Sequence, residues 1–305
     1  MTLALKYGVY GLPLPELADV PHVALQYSPL RPGAENLELA ETGSLAGFTL
    51  LAPPGTLERR YSLALALRAL APGAPLLVLA PKDKGGSRLA VELQQFGCGA
   101  EETARRHHRI CLVQRPDILP LLDDALTGGQ MREIAGLNLW SQPGIFSWDR
   151  LDPGTELLAQ NLPILSGTGA DFGCGLGVLA RHVLSSPKVK FLHLIDIDRR
   201  ALAATALNIH DPRTVPHWDD VRHTKALPPA LDFIVMNPPF HDNGHEDHSL
   251  GQAFVRAAAD RLRKGGTLWL VANRHLPYEG VLKPLFSSLN VKAEARGFKV
   301  FEARK

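Results

Sequence analysis

Along the second half of the chain, short continuous apolar runs alternate with stretches that carry an apolar residue every three or four positions. This pattern predicts strands alternating with helices, hence a mainly parallel sheet covered by helices. A first strand ends near Asp171-Phe172-Gly173, a helix follows from about Leu176, and the run Val189 to Ile195 is the second strand. The next helix, Arg199 to Ile209, carries the apolar stripe Leu202, Ala206 and Ile209. A short strand is expected near Val215, and Leu231 to Met236 is a buried strand that runs into Asn237-Pro238-Pro239. Leu250 to Leu262 reads as a helix stopped by Lys264-Gly265-Gly266, and Thr267 to Ala272 as a strand. The tail, Val291 to Ala295 and Phe298 to Ala303 about Arg296-Gly297, predicts a terminal antiparallel hairpin.

The first half repeats the pattern less clearly, with a strand at Phe48 to Ala52, a helix at Tyr61 to Leu70, a strand at Leu76 to Ala80 and a helix at Ser87 to Phe96. Leu126 to Gln142, with Gly128-Gly129, reads as the linker, so the expected domains are 1–135 and 136–305. Two α/β halves of similar size suggest duplication of one fold. The first half has neither a Gly-x-Gly-x-Gly turn nor an Asn-Pro-Pro turn, so a duplicate there is expected to have lost its chemistry.

Length and composition fit this division. The chain has 305 residues, 45% hydrophobic and 21% charged, enough to bury two cores. Apolar runs such as 76–80 and 191–196 fall far short of the roughly 20 residues that span a bilayer. The start, MTLALKYGVYGLPLPEL, lacks the charged, apolar and cleavage regions of a secretory signal, so a cytoplasmic protein without a membrane partner is expected. Cys98, Cys111 and Cys174 do not have the paired spacing of a zinc site or a disulfide framework. The net charge of +2 argues against a large uniform positive field but leaves room for local basic patches.

The candidate chemistry lies between the second-half elements. Asp171-Phe172-Gly173-Cys174-Gly175-Leu176-Gly177 joins a strand to a helix, where glycines let the backbone approach a ligand at a helix N-terminus. A dinucleotide fingerprint would need its third glycine at position 178, which is Val178. Glycines at 173, 175 and 177 favour S-adenosylmethionine instead. Asp196, at the end of the second strand, is placed to accept from ribose hydroxyls, with Asp198 as the alternative. Asp220, or its neighbour Asp219, is placed to accept from the adenine amine. The competing reading of each is a tight packing turn or a solvated strand end.

Asn237-Pro238-Pro239-Phe240 carries the most information. Two prolines fix φ and remove two backbone donors, making a rigid turn at the carboxyl edge of the sheet. An amine whose lone pair is delocalised becomes nucleophilic when acceptors hold its hydrogens and leave the lone pair facing a methyl donor. The Asn237 side-chain oxygen and the Pro238 carbonyl are the expected acceptors, and Phe240 offers a flat surface for stacking. His241 follows, with a substrate-side role. The run from His241 to His248 has no known metal-ligand spacing and reads as a polar rim, so no metal is expected. In the first half, Lys82, Lys84 and Arg88 cluster, as do Arg105, Arg106, His107, His108 and Arg109. Such groups meet phosphates or simply solvate a surface.

In order and content these motifs resemble the bacterial ribosomal RNA guanine-N2 methyltransferases of the small-subunit methyltransferase C type and their large-subunit relatives. The resemblance also rests on Gly144-Ile145-Phe146-Ser147 with Leu151-Asp152-Pro153-Gly154-Thr155, on Gly265-Gly266 followed by Val271 to Tyr278, and on Gly297-Phe298-Lys299-Val300. It covers about the last 165 residues of the 305. It implies two Rossmann-like methyltransferase domains in tandem, an inactive first copy that assists substrate recognition and an active second copy whose seven-stranded sheet ends in an antiparallel hairpin. It further implies S-adenosylmethionine as cofactor, ribosomal RNA or a ribosomal subunit as partner, guanine N2 as acceptor and Phe146 among the substrate contacts. The sequence leaves the oligomeric state open, with a monomer favoured. Two other classes are consistent with the motifs: a protein-glutamine methyltransferase using the same Asn-Pro-Pro turn, and a non-catalytic RNA-binding or assembly protein that retains the fold.

Overall fold

A computed structural model of the chain describes residues 6–239, 241–242, 245–246 and 248–305; for 241, 242, 245, 246 and 248 only the backbone course is described. Contacts divide the chain into two units, Met1–Met131 with Gln142–Gly144, and Arg132–Ser141 with Ile145–Lys305.

Unit 1 contains β1 (Lys6–Tyr10), β2 (Leu25–Gln26), β3 (Leu45–Leu51), α1 (Thr56–Ala69), β4 (Pro75–Pro81), α2 (Leu89–Gln95), β5 (Glu101–Arg105), β6 (His108–Gln114) and α3 (Leu122–Gly129). Its sheet runs β2-β1-β3-β4-β6-β5, with the first four strands parallel and the last two antiparallel to their neighbours. The central strands are near-continuous apolar runs because both faces are covered. Phe48, Leu50, Leu76 and Val78 are fully buried with Leu63 and Leu67 of α1. That helix is buried on most sides, so it shows no single apolar stripe.

The expected linker, Leu126 to Gln142, is largely structured. It contains the end of α3 and a small antiparallel hairpin, β7 (Arg132–Ile134) and β8 (Leu139–Ser141), that belongs to unit 2. The hairpin is fastened by Asn208, which accepts from the Trp140 N–H at 2.7 Å and donates to the Trp140 carbonyl at 3.0 Å. Composition alone could not reveal an anchor 68 residues away in sequence.

Unit 2 continues with α4 (Pro153–Asn161), β9 (Gly167–Phe172), α5 (Val178–Leu184), β10 (Val189–Asp196), α6 (Arg199–Asn208), β11 (Thr214–Trp218), β12 (Leu231–Met236) and the short pair β13 (His241–Asp242) and β14 (His245–Glu246). After these come α7 (His248–Arg261), β15 (Leu262–Asn273), α8 (Tyr278–Leu282), β16 (Ser288–Ala295) and β17 (Phe298–Arg304). The seven-stranded order is β11-β10-β9-β12-β15-β17-β16, parallel as far as β15 and closed by the antiparallel hairpin, as expected. Strand order reverses between β9 and β12, which opens the crevice where open α/β sheets bind ligands. Phe172 lies level with both Ile195 and Met236, so the segments after β9, β10 and β12 emerge together at one edge.

Two local expectations are corrected. On α6 the buried residues are Arg200, Ala201, Ala204 and Thr205, while Ala206 and Leu207 are exposed. Of the expected stripe, Leu202 and Ile209 do pack against the core and Ala206 alone faces solvent, while Thr205 and Asn208 add polar contacts to the glycine turn. The second correction concerns Lys264-Gly265-Gly266, which does not stop α7. The helix ends at Arg261 and β15 begins directly, with these residues in a bulge between the pairs Leu231–Leu262 and Phe233–Thr267. Gly265 has φ +78°, and a Cβ on Gly266 would lie 2.9 Å from the Leu231 carbonyl, so the glycines serve the bulge.

Removing β11 turns the strand order of unit 2 into that of unit 1, with β3 in the place of β12. Where β12 is followed by Asn237-Pro238-Pro239-Phe240, β3 is followed by Ala52-Pro53-Pro54-Gly55. The prolines remain, but the asparagine and the aromatic residue are gone. The carbonyls of this second turn are taken internally: Arg59 Nη1 donates to the Pro54 carbonyl at 2.8 Å and to that of Pro53 at 3.3 Å. Arg59 is 1% exposed, and a bidentate pair with Glu92, both bonds 2.7 Å, neutralises it.

Candidate active site

Gly173, Gly175 and Gly177 have φ of +76°, +54° and +81°, so the turn after β9 needs residues without a Cβ at all three positions. The turn is pinned by backbone and side chain alike. Gly173 N–H donates to the Ile195 carbonyl at 2.8 Å, and Gly177 N–H to that of Cys174 at 2.8 Å. From α6, Thr205 Oγ1 donates to the Gly175 carbonyl at 2.8 Å, and Asn208 Nδ2 to that of Leu176 at 3.0 Å. A Cβ on Gly177 would lie 2.9 Å from Ile209 and 3.0 Å from Thr205, whereas one on Gly175 would meet nothing within 4 Å. Gly177 therefore serves packing, and Gly175 faces open space among the described residues.

Three carboxylates flank this turn. Asp171 is fully buried, and among the described residues no group makes a well-formed hydrogen bond to either of its oxygens, the Ala180 N–H reaching the carboxyl only weakly. Burial pushes its pKa up to about 8, the nearby Asp196 charge adds to the shift, and the Ala180 N–H opposes it. Asp196 accepts from Gly175 N–H at 2.9 Å through Oδ2 and from Asp198 N–H at 2.9 Å through Oδ1. Its pKa is raised to about 6 by burial and by the Asp198 charge, against the two N–H donors and Arg200. Asp198 is committed elsewhere: it caps α6 through Arg200 N–H at 2.9 Å and is buried in an ion pair with the Arg200 guanidinium. Asp196 alone of the two touches the glycine turn.

At the end of β12, Asn237 is held by its amide nitrogen. Nδ2 donates to Asp152 Oδ2 at 2.8 Å and to Thr155 Oγ1 at 2.9 Å. A carboxylate only accepts, so the nitrogen must face Asp152 and the oxygen must point away from it. The run Leu151 to Thr155 gains a physical meaning from this. Asp152 is the N-cap of α4, accepting Thr155 N–H at 2.7 Å, and Pro153 begins the helix. Gly154 leaves room for Phe298, whose ring a Cβ would meet at 2.9 Å. On the far side of the turn, Gly251 of α7 packs against the Tyr278 hydroxyl and lies near the Pro239 carbonyl. Burial pushes the Tyr278 hydroxyl up to about 12.

The remaining expected residues are more scattered. Phe146 is 60% exposed, next to Ser147 in a left-handed turn conformation. Asp220 is held by Arg222 through hydrogen bonds of 2.6 and 2.9 Å. Burial opposes its ionisation, but the Arg222 side-chain and backbone hydrogen bonds outweigh it and hold the carboxyl below the usual range. Phe240 and the His241 side chain lie outside the described residues. Among the described residues no three His, Cys, Asp or Glu side chains gather in a metal-binding group, and no helix is long and apolar enough to cross a membrane. In unit 1 the two basic clusters meet, since Lys82 N–H donates to the His107 carbonyl at 2.8 Å, while Arg106 and Arg109 pair with Glu16 and Glu102. Sequence reasoning gave no role to Asp152, Thr155, Thr205 or Asn208. The Asp-Pro-Gly-Thr run was legible as a helix start, but its second task, holding Asn237, required the fold.

Comparisons with known proteins agree on the family. Residues 136–302 match the methyltransferase small domain family. Relatives described as ribosomal RNA small subunit methyltransferase C include one from Shewanella loihica, 30% identical over 88% of this chain and 80% of its own length. Another, from Pseudomonas entomophila, is 33% identical over 82% of this chain and 76% of its own. Among solved structures, a T. Thermophilus 16S rRNA N2 methyltransferase in complex with AdoMet and guanosine aligns with a TM-score of 0.73 and 26% identity. That alignment covers 92% of this chain and 77% of the other. With its tandem sheets, its Gly173-Gly175-Gly177 turn and its Asn-Pro-Pro edge, the chain belongs to the ribosomal RNA small subunit methyltransferase C family.

Proposed function

We propose that the chain is an S-adenosylmethionine-dependent methyltransferase acting on the exocyclic N2 amine of a guanine in small-subunit ribosomal RNA, as a monomer in the cytoplasm. Unit 2 carries the chemistry. Unit 1, whose Pro-Pro turn is filled by Arg59, assists recognition of the RNA through the basic surface around Lys82, Arg88, Arg105 and His107.

The residues present fit the cofactor. A buried carboxylate at Asp171, a second raised carboxylate at Asp196 and open space beside Gly175 suit a ligand that brings positive charge and ribose hydroxyls. Asp171, Gly173, Gly175 and Asp196 would hold it, with Gly177 setting the turn through its packing and Asp220 at the adenine. When bound, the cofactor would supply a sulfonium methyl group for transfer to the amine. Asn237 Oδ1 and the Pro238 carbonyl accept the two amine hydrogens and direct the lone pair at that methyl. Positioning of this kind supplies most of the rate. Phe240, His241 and Phe146 contact the base.

One observation carries this reading: the Asn237 amide is fixed at the same sheet edge as the glycine turn. The test is nucleoside mapping of ribosomal RNA from a strain lacking the gene. One small-subunit guanine, the counterpart of the one the T. Thermophilus enzyme modifies, should lose its N2 methyl group. Wild-type protein should restore it, and Asn237→Ala should not, while still binding S-adenosylmethionine. Unchanged ribosomal RNA, with a methyl missing from a protein glutamine instead, would overturn the proposal.

A further inference from the structure

Given the methyltransferase reading, Asn237 Oδ1 accepts from the acceptor amine. An asparagine amide is free to flip, and the flipped form would present two N–H donors to an amine that needs acceptors. We infer that Asp152 and Thr155 are positioning residues for catalysis, fixing the Asn237 amide in the one orientation that presents oxygen to the substrate. Asp152 Oδ2 and Thr155 Oγ1 accept both Nδ2 hydrogens, at 2.8 and 2.9 Å. The Asp152 carboxylate cannot donate, so it rejects the flipped amide outright. A charge-assisted bond on Nδ2 also draws the amide towards its charge-separated resonance form, which places more negative charge on Oδ1 and makes it a better acceptor.

The rest of the local structure holds this clamp in place. Both acceptors sit on the first turn of α4, and the same Asp152 oxygen receives the Thr155 N–H at 2.7 Å, so the two cannot move independently. Phe298 packs against Gly154 between them, and Glu156 is tied to Arg296 at 2.7 Å. Helix capping alone would require only Asp152. Thr155 contributes its hydroxyl as well, and that hydroxyl is spent on Asn237.

The experiment is single-turnover methylation of the RNA substrate, with S-adenosylmethionine binding measured by calorimetry. Thr155→Val removes the hydroxyl without changing shape, and Asp152→Ser keeps a capping oxygen too short to reach Asn237. Each should lower the rate about 10- to 100-fold, leave cofactor affinity and melting temperature nearly unchanged, and lose its effect on an Asn237→Ala background. Thr155→Ser should recover most of the rate lost in Thr155→Val. Additive losses on the Asn237→Ala background, or losses that follow melting temperature or cofactor affinity, would overturn the positioning role. Failure of the methyltransferase reading looks different, because wild-type protein would then transfer no methyl group to RNA and Asn237→Ala would change nothing.

Discussion

Replacing Asp171 by Asn should stabilise unit 2 at neutral pH and destabilise it in acid. Asp171 is fully buried with no well-formed hydrogen bond among the described residues, and its pKa stands at about 8 against 3.8 for an exposed carboxyl. Between those values the unfolded chain is ionised and the folded protein holds a proton. A raised pKa contributes stability that is fully present below pH 3.8 and is lost as pH rises to about 8, by roughly 1.4 kcal/mol per pH unit. At pH 7 the accumulated loss is on the order of 4 kcal/mol. Asparagine cannot ionise and escapes this loss, but it buries an unpaired amide at a cost of about 1 to 3 kcal/mol. The variant should therefore gain about 1 to 3 kcal/mol at pH 7 and lose a similar amount near pH 4. All four tryptophans, Trp140, Trp148, Trp218 and Trp269, lie in unit 2, so urea titrations followed by tryptophan fluorescence report on that unit. Wild-type and variant curves separated by a constant amount from pH 4 to 8 would refute the argument. On the proposed function the same carboxyl should couple to the cofactor. Binding of cationic S-adenosylmethionine at pH 7 should release about one proton, read from calorimetry in buffers of different ionisation enthalpy, and Asp171→Asn should bind more weakly without that release.

Other perturbations separate packing from chemistry. Gly175→Ala should cost about 1 kcal/mol for its left-handed φ and weaken cofactor binding, whereas Gly177→Ala should cost more because its Cβ also meets Ile209 and Thr205; melting temperatures and calorimetric affinities distinguish them. In unit 1, Arg59→Ala leaves Glu92 buried without its partner and should destabilise by about 3 to 5 kcal/mol, while the double change Arg59→Met with Glu92→Leu recovers most of this; calorimetric unfolding of the three proteins checks it. His193 and His217 stack across β10 and β11, with Nδ1 and Nε2 2.8 Å apart. Burial lowers both pKa values, assisted in His193 by its partner and opposed in His217 by Asp219. Their contribution to stability is present above the ordinary imidazole pKa and is lost as pH falls through the depressed values, which proton NMR titration of the two rings should reproduce.

Much of the molecule was legible before folding. Alternating apolar periods gave the strand and helix order of unit 2, because strands covered on both faces must be apolar throughout, and because glycine and proline mark turns for local steric reasons. The Gly173-x-Gly175-x-Gly177 and Asn237-Pro238-Pro239 turns were visible for the same reason, since each is defined within a few residues by backbone geometry. Where sequence reasoning failed, the deciding contact was distant. On α6 the apolar stripe did not reveal the polar contacts of Thr205 and Asn208 to the glycine turn, and Gly265-Gly266 serve a bulge against β12 that no helix-stop rule anticipates. Likewise, Ala52-Pro53-Pro54-Gly55 became recognisable as the positional counterpart of Asn237-Pro238-Pro239-Phe240 only from its place after β3, because equivalence there is one of topology.

The sequence by itself determined the class of fold, the edge of the sheet where the glycine and Asn-Pro-Pro turns emerge and the asparagine proposed to face the amine, all through local chain geometry. Only the tertiary structure decided which way Asn237 points and what charge Asp171 bears. Those depend on Asp152 and Thr155, more than 80 residues away along the chain, and on desolvation, which exists only once the core has closed.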